Sequence, residues 1–224
     1  MKLLIDDANI REIRRLYDLY PIDGVTTNPS ILARAGSDPV SVLREIRAFI
    51  GEDALFFVQA LALDAGGMVA DARRILEICG KTTVVKLPSI PEGFKAMRLL
   101  KAEGVRTCGT VVYTPMQAFL AAKAGAEFVA PYVNRIDNMG YDGVKVVKEI
   151  QEILVNNRLD CMVLAASFKN SQQVMELCAC GIGSATAAPA VIDGFVKNPA
   201  IDSAVRDFLR DFEKATGRTA MTEF

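Results

Sequence analysis

The sequence predicts an α/β fold of the (β/α)8, or TIM-barrel, class, with residues 1–224 forming one domain. Short apolar runs alternate with helix-patterned runs along the whole chain. Successive strands start roughly 20 to 35 residues apart, the length of one strand–helix unit. Eight such units can be placed, the number that closes a barrel. The strand runs are apolar on both faces, as a parallel sheet covered by helices requires. The alternative is a doubly wound open sheet, but no Gly-x-Gly-x-x-Gly follows the first strand, which counts against a dinucleotide-binding fold.

The strands are expected near Leu3–Asp7, Gly24–Asn28, Leu55–Leu61, Thr83–Leu87, Thr107–Val112, Phe128–Val133, Met162–Phe168 and Gly183–Ala187. Asn9-Ile-Arg-Glu12 resembles a capping box before the helical apolar positions Ile13, Leu16 and Tyr17. Asp38-Pro39 opens a helix carrying Val42, Leu43, Ile46 and Phe49. Met68, Ala72, Ile75 and Leu76 mark the next. Ser89-Ile-Pro-Glu92 predicts a capping box for the helix after the fourth strand, and Asn170-Ser-Gln-Gln173 caps one carrying Val174 and Leu177. A last helix, over about residues 200–216, places Ile201, Ala204, Val205, Phe208, Leu209 and Phe212 on one stripe. It is extra to a closed barrel. Either it covers the bottom of its own barrel or it is an arm that docks on a neighbouring subunit. The tail Gly217–Phe224 is expected to be loose.

Composition narrows the function. The formal net charge is −1, so no electrostatic footprint for nucleic acid is apparent. Asp6 and Asp7 break the N-terminal apolar run too early for a signal peptide, and no apolar run is clean enough to span a membrane. Five cysteines, Cys79, Cys108, Cys161, Cys178 and Cys180, match no zinc spacing. Cys178 and Cys180 are expected as buried thiols at a helix end. Free buried thiols fit a reducing compartment, and the expected location is the cytoplasm. The chain has no histidine. That excludes Ser-His and Cys-His nucleophile pairs and any His-bound zinc or iron site. Acid–base work must fall to Asp, Glu, Lys, Tyr or water, and activation of a carbonyl to lysine.

Thr82-Thr-Val-Val-Lys-Leu-Pro88 supplies such a lysine. Lys86 is placed near the end of the fourth strand among Val84, Val85 and Leu87. Desolvation there disfavours the ammonium, and a neutral amine can attack a carbonyl to form a Schiff base. A lysine that snorkels to water is the plainer alternative. In a (β/α)8 barrel, active residues sit at the C-terminal ends of strands. That rule selects Asp6 and Asp7, Thr26-Thr27-Asn28, Gln59, Lys86, Thr110, Tyr132 with Asn134 and Arg135, and Ser167 with Lys169. Side chains alternate along a strand, so Asp6 and Asp7 face opposite ways. Asp6, which shares a face with Leu4, is taken as the inward one, and Asp7 as a cap of the first helix. Tyr132, the only phenol among these residues, is the leading proton donor or acceptor. Arg135 and Ser167 follow the strands near which such barrels hold phosphate. Lys169 is expected in solvent.

Five strings carry a family resemblance: Gly24-Val-Thr-Thr-Asn-Pro-Ser30, Val84-Val-Lys-Leu-Pro88, Leu100-Lys-Ala-Glu-Gly104, Gly125-Ala-Glu-Phe-Val-Ala-Pro-Tyr-Val-Asn-Arg-Ile-Asp137 and Leu164-Ala-Ala-Ser-Phe-Lys169. The chain resembles the transaldolase family, most closely its fructose-6-phosphate aldolase branch of class I aldolases. The resemblance implies a Schiff-base lysine at Lys86, with Asn28 hydrogen-bonding nearby, Thr26 among the substrate-binding residues and Asp6 meeting donor hydroxyls. It implies that Arg135 and Ser167 hold a sugar phosphate. Aldolases of the branch are similar to this chain in having glutamine and tyrosine, here Gln59 and Tyr132, where transaldolases have glutamate and phenylalanine. Gln59, Thr110 and Tyr132 would then position the water that moves the proton. The implied reaction needs no cofactor or metal and cleaves or forms fructose 6-phosphate or a related sugar phosphate, with dihydroxyacetone and an aldehyde, glyceraldehyde 3-phosphate for fructose 6-phosphate, as the other side. Transaldolase activity and a non-catalytic sugar-phosphate-binding barrel are the alternatives. A homo-oligomer, often decameric and tied by the C-terminal helix, is also implied. The chain departs from the family at Asp7, where a small hydroxyl residue is usual, and in the small residues of Ser184-Ala-Thr-Ala-Ala-Pro-Ala190.

Overall fold

A computed structural model describes residues 1–223. Eight parallel strands close into a barrel in sequence order: β1 (Lys2–Asp6), β2 (Gly24–Thr26), β3 (Leu55–Gln59), β4 (Val84–Pro88), β5 (Thr107–Val112), β6 (Phe128–Pro131), β7 (Met162–Ala165) and β8 (Ser184–Ala187). β8 returns to pair with β1, so no strand edge is left open. The helices around it are α1 (Ile10–Leu19), α2 (Pro29–Arg34), α3 (Pro39–Ile50), α4 (Ala65–Cys79), α5 (Pro91–Ala102), α6 (Pro115–Lys123), α7 (Val133–Asp137), α8 (Gly143–Asn156), α9 (Ser171–Ala179) and α10 (Pro189–Asp193). An eleventh, α11 (Pro199–Thr216), follows the closed barrel.

The apolar residues divide into two shells. Outward strand residues such as Ile5, Val25, Val85, Leu87 and Val163 pack against Ile13, Leu16, Ile46, Met68, Met97 and Ile150 of the helices. Inside the barrel, Leu4, Phe57, Val84, Cys108, Phe128, Ala130 and Leu164 form an apolar floor. Phe57 and Phe128 meet there edge to face at 5.0 Å. This floor closes the interior from below, so only the C-terminal end of the barrel can open to a ligand.

β4 is anchored at both ends. Arg47 of α3 is buried beneath its start, its guanidinium donating to the carbonyls of Cys79, Gly51 and Ala54 and to Thr83 Oγ1. The ring of Phe56 lies 5.1 Å below it. At the other end α5 packs so closely that a Cβ at Gly93 would overlap the Pro88 carbonyl oxygen. Both contacts fix the strand that carries Lys86.

The expected strands run past their true ends at β1, β2, β3, β6 and β7, and after β2 and β6 the chain leaves the sheet to start a helix almost at once. Asn28 has become the N-cap of α2 and Tyr132 that of α7. The Ser89–Glu92 capping box does not form: Pro91 occupies the first turn of α5, Ile90 is the N-cap, and Ser89 Oγ is buried without a partner. Glu92 instead reaches across to accept from the Ala65 amide at the start of α4. Asn9 does cap α1, while Glu12 pairs with Arg15 rather than closing a box. A complete capping box sits at Thr114–Gln117, opening α6. Cys178 and Cys180 are exposed, correcting the expectation of buried thiols: the core stripe of α9 is Val174 and Leu177, and the helix ends at Ala179.

α11 does not cover the barrel bottom. None of its residues is buried, and Ile201, Val205, Phe208 and Leu209 all stand exposed along one side. No helix among the described residues is long and apolar enough to cross a membrane.

Arg47→Leu should destabilise the fold by about 3 kcal/mol, because it leaves buried carbonyls without donors while keeping apolar volume. A urea titration against the parent chain checks this. An unchanged midpoint would show that Arg47 does not anchor β4.

Candidate active site

Alternation carries the inward face one step above the floor. The residues there are Asp6 after Leu4, Thr26 after Gly24, Gln59 after Phe57 and Lys86 after Val84. Thr110 follows Cys108, Tyr132 follows Ala130, Ala166 follows Leu164 and Thr186 follows Ser184. Seven of these eight positions are polar, so an apolar barrel ends in a polar layer. Asp6 lies opposite Thr26 in the ladder, and Gln59 opposite Lys86.

Lys86 is buried to 4% exposure, and its Nζ donates to the Thr27 carbonyl at 2.9 Å. That carbonyl is held in turn, since both the Thr27 amide and its hydroxyl donate to Phe57 O. Asn28 Oδ1 accepts from the Ile31 amide as the cap of α2, and no hydrogen bond joins it to Lys86.

Asp6 accepts from Thr26 Oγ1 at 2.7 Å, and the same hydroxyl meets Thr186 Oγ1 at 2.7 Å. Burial raises the Asp6 carboxyl above its ordinary value, outweighing the nearby charge of Lys86 and the Thr26 hydroxyl. Asp7 points away and accepts from the Ala8 and Asn9 amides, so it orders the turn before α1, whose own N-cap is Asn9.

Tyr132 OH and Thr110 Oγ1 are 2.8 Å apart. The β5–β6 register shifts between Gly109 and Val112, and Val111 there has φ 59°. A β-branched residue at positive φ is strained, and such strain gathers where a bulge re-aims a side chain. The Arg135 guanidinium lies 4.6 Å over the Tyr132 ring. Tyr113 meets that ring edge-on at 5.7 Å, and its hydroxyl beside the Arg135 guanidinium is the main cause raising the guanidinium's pKa. Tyr113 is thus a second phenol beside Arg135, one that the selected strand-end residues did not include. Its position just after β5, before the Thr114 cap, was the available signal. α7 has no side-chain cap. Its Val133 and Asn134 amides donate to the carbonyls of Ala166 and Ser167 instead, which ties Arg135 to the Ser167 loop. Ser167 itself has φ 61°.

Asp6, Asn28, Lys86, Tyr132, Arg135 and Ser167 line one cavity of about 160 Å3 at the mouth of the barrel. Arg34 and Ser30, which the sequence reading passed over, line it too. Thr26 and Thr110 are fully buried and reach the cavity only through their bonds to Asp6 and Tyr132. Gln59 lies beside Lys86 in the ladder but outside this lining, and borders an apolar groove between α2, α3 and α4. Lys169 is exposed. Among the described residues, no three His, Cys, Asp or Glu side chains gather where they could hold a metal ion.

A family model described as transaldolase/fructose-6-phosphate aldolase matches residues 3–223. The chain belongs to the transaldolase/fructose-6-phosphate aldolase family. Membership assigns it aldolase/transaldolase-type chemistry. Among solved structures, one described as "Native KDPGal structure" is 16% identical with a TM-score of 0.59, over 84% of this chain and 82% of that one. A cube-shaped, highly porous protein cage, designed by fusing symmetric oligomeric domains, is 14% identical with a TM-score of 0.64, over 96% of this chain and 78% of that one. At these identities the likeness is one of fold.

The raised Asp6 carboxyl has a consequence for stability. The unfolded chain releases this proton near 3.8 and the folded chain only at higher pH. Ionised Asp6 therefore costs folding free energy, which grows as pH rises through that window and persists at neutral pH. Asp6→Asn should melt higher than the parent at neutral pH, and the difference should vanish below pH 3.8. Thermal melts at the two pH values check the sign. A variant less stable at neutral pH would contradict it.

Proposed function

We propose that this protein is a class I aldolase that cleaves and forms fructose 6-phosphate through a Schiff base on Lys86, releasing dihydroxyacetone and glyceraldehyde 3-phosphate. The observation that carries the reading is a buried lysine amine, bonded only to a backbone carbonyl, in one cavity with the phenol of the Tyr132–Thr110 pair. Lys86 attacks the C2 carbonyl, and the carbinolamine loses water to give the iminium. A base takes the C4 hydroxyl proton, the C3–C4 bond breaks, and its electron pair enters the iminium to leave an enamine. Glyceraldehyde 3-phosphate departs. A proton returned to C3 restores the iminium, and water attack on C2 frees dihydroxyacetone and the amine.

Tyr132, held by Thr110, moves these protons through a water that it shares with Gln59. Asp6 and Asn28 meet the donor hydroxyls, with the Thr26 hydroxyl beside Asp6 setting its direction. Arg135 and Ser167 take the phosphate. A phenol and an amide around one water favour protonation and release of the enamine. A transaldolase, in contrast, holds the enamine for an acceptor aldehyde.

We assign α11 as an arm between copies of this chain in a ring-like homo-oligomer, for which a decamer is the expected form. Its exposed stripe, about 27 Å long at 1.5 Å per residue, supports this. We place the protein in the cytoplasm, where Cys79 and Cys108 would stay free and buried.

Fructose 6-phosphate given without an acceptor aldehyde should yield glyceraldehyde 3-phosphate continuously. A single burst of about one equivalent per subunit, restarted by erythrose 4-phosphate, would identify a transaldolase instead. Tyr132→Phe should slow dihydroxyacetone release by about a hundredfold, as expected for a lost proton-transfer group. Release at the parent rate would remove Tyr132 from the mechanism.

A further inference from the structure

The cavity around Lys86 holds one cation that the mechanism does not use. Arg34 ends α2 and lines the same 160 Å3 space as Lys86, Asp6 and Arg135. The other two cations are engaged: Lys86 donates to the Thr27 carbonyl, while the Arg135 guanidinium lies over the Tyr132 ring. Arg34 makes no hydrogen bond or close ion pair with any described residue, and acts on Asp6 through its charge alone. Its position is nonetheless set by the site. Thr27 holds the amine, the next residue, Asn28, caps α2, and that one short helix carries the chain to Arg34.

The charges around the cavity leave a surplus. Three cations, Arg34, Lys86 and Arg135, face one carboxylate, Asp6. The surplus of two positive charges matches a phosphate monoester, which carries about −1.5 to −2 at neutral pH. On its far side Arg34 borders a larger cavity of about 460 Å3, where Arg11 and Arg34 stand against Asp7 and Glu45. Charge there is balanced, so that space calls for no anion. The anion-seeking direction of Arg34 is inward.

We propose that Arg34 is a specificity-determining residue, a second guanidinium that joins Arg135 on the phosphate of the substrate and separates phosphorylated sugars from their unphosphorylated analogues. This rests on the reading of the site as one for sugar phosphates. A guanidinium suits a phosphate because its fork can donate two parallel hydrogen bonds, and a lysine would supply charge without that fork. A helix-end cation that only complements the dipole of α2 would have no effect on ligand choice.

Glycerol 3-phosphate tests the proposal, because it has no carbonyl and its binding does not depend on Schiff-base chemistry. Calorimetric titration of the whole protein should give about tenfold weaker binding for Arg34→Ala, the effect of one charge-assisted contact. Arg34→Lys should lose less. Arg11→Ala, which borders only the outer cavity, should bind as the parent does. In synthesis from dihydroxyacetone, Arg34→Ala should lower kcat/KM for glyceraldehyde 3-phosphate about tenfold relative to that for glyceraldehyde. Parent-like binding by Arg34→Ala, an equal loss in Arg11→Ala, or equal losses for both aldehydes would overturn the proposal. So would failure of the parent chain to bind glycerol 3-phosphate. Borohydride trapping of dihydroxyacetone on the same samples separates the two claims. An adduct with no Arg34 effect removes this inference alone, and phosphate binding that depends on Arg34 without an adduct removes the aldolase reading alone.

Discussion

The site depends on one lysine amine held inside a closed barrel. Lys86 points up from an apolar floor of Phe57, Val84, Cys108 and Phe128, and its Nζ meets a main-chain carbonyl rather than a carboxylate. A carboxylate at that distance would hold the amine as an ion pair, which would have to break before the amine could attack a carbonyl. The Thr27 carbonyl fixes its direction without that cost, and is itself fixed by two donors from its own residue to Phe57 O. Asp6, the nearest acid, is turned to Thr26 instead. The anchors on β4, with Arg47 below and Gly93 above, fix the strand that carries this amine.

The rest of the site stores backbone strain where two strands end. Val111 and Ser167 both adopt positive φ, each costing about 1–3 kcal/mol. A domain is stable by only about 5–15 kcal/mol, so this is a sizeable charge on the fold. Val111 sits in the bulge between Thr110 and Tyr113, whose side chains respectively bond the Tyr132 hydroxyl and brace Arg135. Ser167 turns the chain so that its carbonyl and that of Ala166 cap α7, the helix carrying Arg135. The strain is thus coupled to the placement of a phenol and a guanidinium, and the two apolar shells of the barrel offset it.

Much of the architecture was legible in the sequence because periodicity and punctuation are local. Eight apolar runs at even spacing gave the barrel, and alternation from Leu4 separated Asp6 from Asp7 correctly. Six of the selected strand-end residues share the cavity for the same reason. What escaped depends on contacts distant in sequence. Thr26 could be read as a site residue, but not as a hydroxyl consumed by Asp6 and Thr186. The Ser89–Glu92 pattern satisfied the capping rule, yet Glu92 is drawn to an amide of another helix. Tyr113 was hidden by a bulge that breaks the alternation, and Arg34 by a helix too short to announce itself. The exposed stripe of α11 showed plainly in the sequence, and its failure to pack on this barrel did not.

The most direct test of the account is the site of covalent attachment. Dihydroxyacetone is incubated with the protein, the imine is reduced with borohydride, and the modified peptide is sequenced by mass spectrometry. The account predicts a single adduct on Lys86 and none on the exposed Lys169. An adduct on Lys169, or on no lysine at all, would contradict the claim that the buried amine does the chemistry.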